Sequence, residues 1–190
     1  MKRKIAFLAV MTICCVIIGS GTLAYFTDYA QLHNVITSGE VDITLVETTT
    51  DKLDENGHPT AFENVSGVMP GMSISKIAQV SNVGASDAYV RVAVNKVINL
   101  AGGVNGTPDE SLISIDFNQK EWAYKDGFYY YNEALKPGEL TVPLFTTVTF
   151  NRTMDNLYQG SSVEIDVAAY ATQVANNGAS ALDAAGWPDR

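Results

Sequence analysis

The stretch VEIDVAAYATQV, Val163–Val174, decides the fold. Val163, Ile165 and Val167 alternate with Glu164 and Asp166, so apolar side chains recur at every second position. That period belongs to a β-strand with one face in a core and the other toward water. Working outward, the pattern repeats. VDITLVE (Val41–Glu47) sets Val41, Ile43 and Leu45 against Asp42 and Thr44, and AYVRVAVNKVI (Ala88–Ile98) sets Val90, Val92 and Val94 on one face. ISKIAQVSN, LISIDF, EWAYK, FYYYN and LTVPLFTTVTF supply the remaining strands. Tyr129, Tyr130 and Tyr131 are expected to point alternately inward and outward. Arg91, between two valines, is expected to face solvent or pair with a carboxylate. Pro143 has no N–H to give a ladder, so its segment is an edge or carries a bulge.

Turn residues separate these runs. Asn56-Gly57, Pro70-Gly71, Asp126-Gly127 and Pro137-Gly138 supply either a positive φ or a preset one. About eight strands with few helical patterns predict an all-β chain: an antiparallel β-sandwich, jelly-roll-like, preceded by an N-terminal signal-peptide helix. One short helix is expected at GASALDAAGW, Gly178–Trp187. With no internal repeat and no linker, residues 25–190 read as a single β-sandwich domain.

The first residues read as an export signal, residues 1–24. MKRK is a basic n-region, and Ile5 to Ile18 is an apolar run of fourteen residues in which Thr12 is the one hydroxyl. A spanning helix needs about 20 apolar residues. Ile5 to Ala24 reaches that length only by including GSGTLA, whose small residues suit a signal peptidase instead. Thr22 and Ala24 take the −3 and −1 places, leaving Tyr25 as the new N-terminus; retention as an anchor is the alternative. Cys14 and Cys15, the only cysteines, lie in the apolar run and leave with it. Removing residues 1–24 takes away three cations and no anions, so a net charge of −9 becomes −12. Such a surface repels phosphate backbones and anionic bilayers: no nucleic acid is expected as partner, and membrane contact only before cleavage.

The search for catalytic chemistry finds no constellation. His33 and His58 are the only histidines, with no HExxH to set two imidazoles on one helical face. No GxSxG elbow or phosphate-binding loop is present, and AGGVNG (Ala101–Gly106) lacks the lysine such a loop needs. In DKLDENGHPTAFE (Asp51–Glu63), a calcium-loop template puts Asp54, Asn56 and Glu63 at ligand places but Lys52 where the first carboxylate belongs. A charged hairpin turning at Asn56-Gly57 is the plainer reading. No catalytic, cofactor or metal residue is therefore assigned, and no cofactor is expected.

GSGTLAYFTD (Gly19–Asp28), followed by SGEVDITLVE, resembles the start of proteins exported through SipW-type signal peptidases of Gram-positive bacteria, the TasA/camelysin family. The resemblance continues in VMPGMSISKIAQVSNVGASDAYVRVAV, in DGFYYYNEALKPGELTVPLFTTVTF and in the ending VEIDVAAYATQVANNG. It implies a jelly-roll sandwich, secretion to the cell surface or biofilm matrix, and assembly into fibres. The expected partners are further copies, other matrix or cell-surface components and, during export, the SipW-type peptidase. Cleavage would free YFTDYAQLHNVI, residues 25–36, with apolar Tyr25, Phe26, Leu32, Val35 and Ile36, as a candidate donor strand. As a strand it reaches about 40 Å, enough to cross a sandwich. In a monomer the same residues would fold back as the domain's own first strand. The resemblance also brings a rival, since camelysin is described as a surface metalloendopeptidase. A monomeric adhesin or carbohydrate-binding sandwich, with the tyrosines of FYYYN as a platform, is the third reading.

Overall fold

The computed structural model describes residues 26–28, 36–37 and 41–188. The expected signal helix, Thr22, Ala24, Tyr25, Leu32, His33 and Val35 lie outside them. Among the described residues twelve strands form: β1 Phe26–Asp28, β2 Ile36–Thr37, β3 Ile43–Leu53, β4 Pro59–Ala61, β5 Ser66–Val68, β6 Ser73–Asn82, β7 Ala88–Asn99, β8 Ile113–Ile115, β9 Trp122–Lys125, β10 Phe128–Tyr131, β11 Phe145–Phe150 and β12 Ser162–Gln173. A seven-stranded sheet runs β5-β1-β12-β7-β10-β9, with β2 also on β12, and a five-stranded sheet runs β4-β3-β6-β11-β8. From β6 onward the chain passes back and forth between them, wrapping one core in the jelly-roll manner. The sheets are antiparallel except where β1 and β2 run parallel to β12.

The period of two in the sequence is the inward register of these strands. Val41, Ile43 and Leu45 meet Ile74, Ala78 and Val80 from one sheet, and Val90, Val92, Val163, Ile165 and Val167 from the other, all buried. Trp122 is 1% exposed, and its indole N–H donates to the Val142 carbonyl at 3.3 Å. Buried Asn82 is fully used: its amide donates to the Ser86 and Leu135 carbonyls and accepts from the Gly84 N–H. It pins the β6–β7 crossing to the segment that leads into β11. At Asp126-Gly127 both residues have positive φ, 51° and 84°, giving the two-residue turn that suits the strand twist between β9 and β10.

FYYYN alternates as its pattern predicts. Tyr129 and Tyr131 face the core, where Phe117 stacks on Tyr129 at 4.3 Å and burial pushes the Tyr129 phenol up to about 12. Tyr130 faces outward with Phe128. LTVPLFTTVTF is divided: Leu140 bridges Ser81 alone, Pro143 interrupts, and β11 starts at Phe145 with a register shift before Thr147.

Two expectations are corrected. GASALDAAGW forms turns, not a helix. Its side chains are committed elsewhere: Ala181 is buried against Tyr89 and Tyr130, and Asn177 clamps the segment by bonding the Ala185 N–H and the Ala185 and Gln173 carbonyls. Those contacts make residues 174–188 a strap over the outer face of the seven-stranded sheet. Nor does Arg91 face solvent or a carboxylate. Its guanidinium lies 4.0 Å from the Phe128 ring, 4.8 Å from Trp187 and 5.3 Å from Tyr170, and donates to the Pro188 carbonyl at 2.9 Å. The strap supplies both Trp187 and that carbonyl. Arg91 is thereby a rivet through a second, smaller core.

Candidate assembly site on the edge of the last strand

β12 has two very different edges. On one it pairs with β7 along its whole length, from Ser162↔Asn99 to Gln173↔Ala88. On the other it carries only the N-terminal residues: β1 through Thr27↔Ser162 and Asp28↔Val163, and β2 through Ile36↔Tyr170 and Thr37↔Ala171. The two short strands run in the same direction along β12, in registers one residue apart. Between them, Glu164 to Ala169 has no strand partner on this edge among the described residues.

β1 is an inserted strand rather than an added edge. Its far side pairs antiparallel with β5, through Phe26↔Val68 and Thr27↔Ser66. β5 joins the sheet through β1 and no other described strand. The slot is floored by side chains that belong to the core, Val68 and Val163 at 0% exposure and Ala171 at 0%. Of the candidate assembly residues, the structure therefore brings Phe26 and Ile36 onto one strand edge, about a β12 length apart. Ser66–Val68 as a partner strand was missed in the sequence. It is three residues long around a glycine, too short for a periodic signal.

The polar clusters serve structure. Asp54 accepts the backbone N–H groups of Asn56 and His58, both at 2.8 Å, and the His58 bond is the leading cause that holds its carboxyl below the ordinary range. Lys52 pairs with Glu63 at 3.4 Å. The calcium-loop residues thus form the β3–β4 hairpin, turned at Gly57 with φ 81°. Asp116 is a second such staple. Burial pushes its carboxyl up, but bonds from the Thr146 hydroxyl and the Thr146 and Thr147 N–H groups more than offset this, leaving it low. A lowered carboxyl stabilises the fold above its unfolded value of 3.8 and loses that contribution as pH falls through the folded value. Asp116→Asn is expected to cost about 1 kcal/mol at neutral pH, solvent screening included, and nothing once the pH is well below the folded carboxyl's own lowered value; urea titrations at neutral and strongly acid pH check it.

A catalytic metal needs donors grouped about one point. Among the described residues no three His, Cys, Asp or Glu side chains form such a group. His58 is exposed, its Nδ1 lying 3.5 Å from Asp54 Oδ2. The described residues do not fit a catalytic metal ion. Nor is any helix among them long and apolar enough to cross a membrane.

Comparison with curated proteins and with solved structures gives no match. A family profile, described as camelysin metallo-endopeptidase, matches residues 1–109, more than half of the chain. The match runs from the N-terminus through β7 and stops short of β12. The chain belongs to the camelysin metallo-endopeptidase family.

Proposed function

We propose that this surface protein of the camelysin family is a secreted structural subunit that self-assembles into extracellular fibres by strand exchange, without catalysis. The observation that carries the reading is the insertion of Phe26–Asp28 between β12 and β5. A segment held by backbone pairing at a slot can be replaced by the same segment of another copy, in the same parallel register, with no change in chemistry. Cis occupation closes a monomer. Trans occupation links each subunit to the next, and because slot and segment are different surfaces the contact is head-to-tail, which extends into a filament when the rotation between subunits does not close a ring. Cleavage after Ala24 by a SipW-type peptidase frees the segment, so processing is the switch. Other matrix or cell-surface components would then join a fibre already formed.

The test uses two purified forms, one starting at Tyr25 and one extended upstream by a short blocking tag. Filaments by electron microscopy and growth by light scattering are expected only from the first. If both remain monomeric, the exchange reading fails. The family's description also brings a proteolytic reading: hydrolysis of casein by the purified chain, dependent on divalent metal and stopped by a chelator, would replace the structural one.

A further inference from the structure

At inward positions of the sandwich, among largely apolar neighbours, lie one buried lysine and one buried glutamate. Lys76 is on β6 at the inward parity of Ile74, Ala78 and Val80; Glu47 is on β3 at the inward parity of Val41, Ile43 and Leu45. β3 and β6 are adjacent and antiparallel, with Glu47 opposite Ala78 and Thr48 opposite Ile77. Lys76 Nζ lies 2.6 Å from Glu47 Oε1, with side-chain exposures of 0% and 2%. The Phe62 ring covers the nitrogen at 4.0 Å. Beyond that ring is an open cleft of about 300 Å³, lined by Thr49, Asp51, Phe62 and Glu63 among others.

We infer that Lys76 and Glu47 are the site of an intramolecular isopeptide bond joining β3 to β6. Two charges in an apolar interior are costly unless they neutralise. Transfer of one proton from Nζ to the carboxylate gives a neutral amine against a neutral acid. The amine lone pair then attacks Cδ. A C–N bond forms, the C–OH bond breaks, and the hydroxyl takes a second proton from nitrogen and leaves as water past Phe62 into the cleft. Nothing is oxidised or reduced, and no co-reactant is needed. Reacting groups held in contact by a rigid frame reach effective molarities of about 10⁵–10⁸ M, and exclusion of bulk water removes the competing hydrolysis. The product carries no charge, so condensation also relieves the cost of the buried pair. Because the bond links two central strands of one subunit, it is independent of whether subunits exchange their N-terminal segments.

Intact mass of the purified full chain, denatured, is the test. The expected mass is lower than the sequence mass by one water, with the tryptic peptides carrying Glu47 and Lys76 joined and cleavage after Lys76 lost. Asp126-Gly127 could lose a water by succinimide formation, so Lys76→Arg is measured in parallel: it keeps the cation, lacks the primary amine, and should restore the full mass. A wild-type chain at sequence mass that is cut after Lys76 overturns the inference. So does a water loss that persists in Lys76→Arg.

Discussion

Lys76→Ala is expected to destabilise the folded chain by about 3–5 kcal/mol, the largest effect of any single charged residue described here. The substitution leaves the Glu47 carboxylate 2% exposed with its cation gone, and removes the stem that fills the space beside Phe62. A core truncation alone would cost something similar, so a second variant separates the causes. Replacing both partners by apolar residues of like volume, Lys76→Met with Glu47→Leu, removes the charges but keeps the packing. That pair is expected to recover about 2 kcal/mol of the loss in Lys76→Ala, and to fall short of the parent by what the covalent link contributes to it. Equilibrium urea unfolding of Lys76→Met, Glu47→Leu and the double variant gives the coupling between the two positions. If the double variant is as unstable as Lys76→Ala, the loss lies in the Lys76–Glu47 link that both variants lack, and a charge left unpaired is not what makes the single change costly.

Both members of that pair were within reach of the sequence. The alternation that places Val41, Ile43 and Leu45 inward continues without a break to Glu47, and ISKIAQVSN puts Lys76 between Ile74 and Ala78 on the same parity. A strict period of two predicts a lysine and a glutamate facing the core. Averaging over hydrophobic residues hides them, because a charge at an inward position looks like noise in an otherwise clean pattern. The core itself was legible for the same reason, since parity in Val90–Val94 and Val163–Val167 carries straight into burial. What parity cannot carry is the outer face. Arg91 has outward parity, which points to solvent or a carboxylate partner, yet residues 174–188 return to cover it. That return is a long-range contact made by a segment without period, and the small residues that favoured a helix there are the ones that let a turn pack closely on Tyr89 and Tyr130. Half of the candidate assembly site was visible in the same way. The N-terminal residues announced themselves by composition, but what holds them lies in pairing geometry: the edge of β12 away from β7 and a three-residue β5.

Arg91→Ala should release that strap. The guanidinium is stacked among Phe128, Trp187 and Tyr170 and bonded to the Pro188 carbonyl, so its truncation removes several desolvated cation–π contacts together with a charged hydrogen bond. Such contacts contribute about 2 kcal/mol when desolvated, and they share one cation, so a loss of about 3 kcal/mol is expected rather than a sum. Arg91→Lys should recover little of it. An ammonium is a hydrated point donor, whereas the planar guanidinium can lie against rings on more than one side while still donating at its rim. The location of the loss is as telling as its size. The strap is otherwise tied by Tyr89 Oη to the Gly178 carbonyl and by Thr172 Oγ1 to the Ala185 carbonyl, short of its last residues. Amide exchange should therefore accelerate first around Trp187 and spread back to Gly178, while the β7–β12 ladder stays protected until global unfolding. Were β12 to lose protection together with the strap, the second core would be part of the sheet's own cooperative unit. Residues 174–188 would then brace the strand whose opposite edge receives the N-terminal segment.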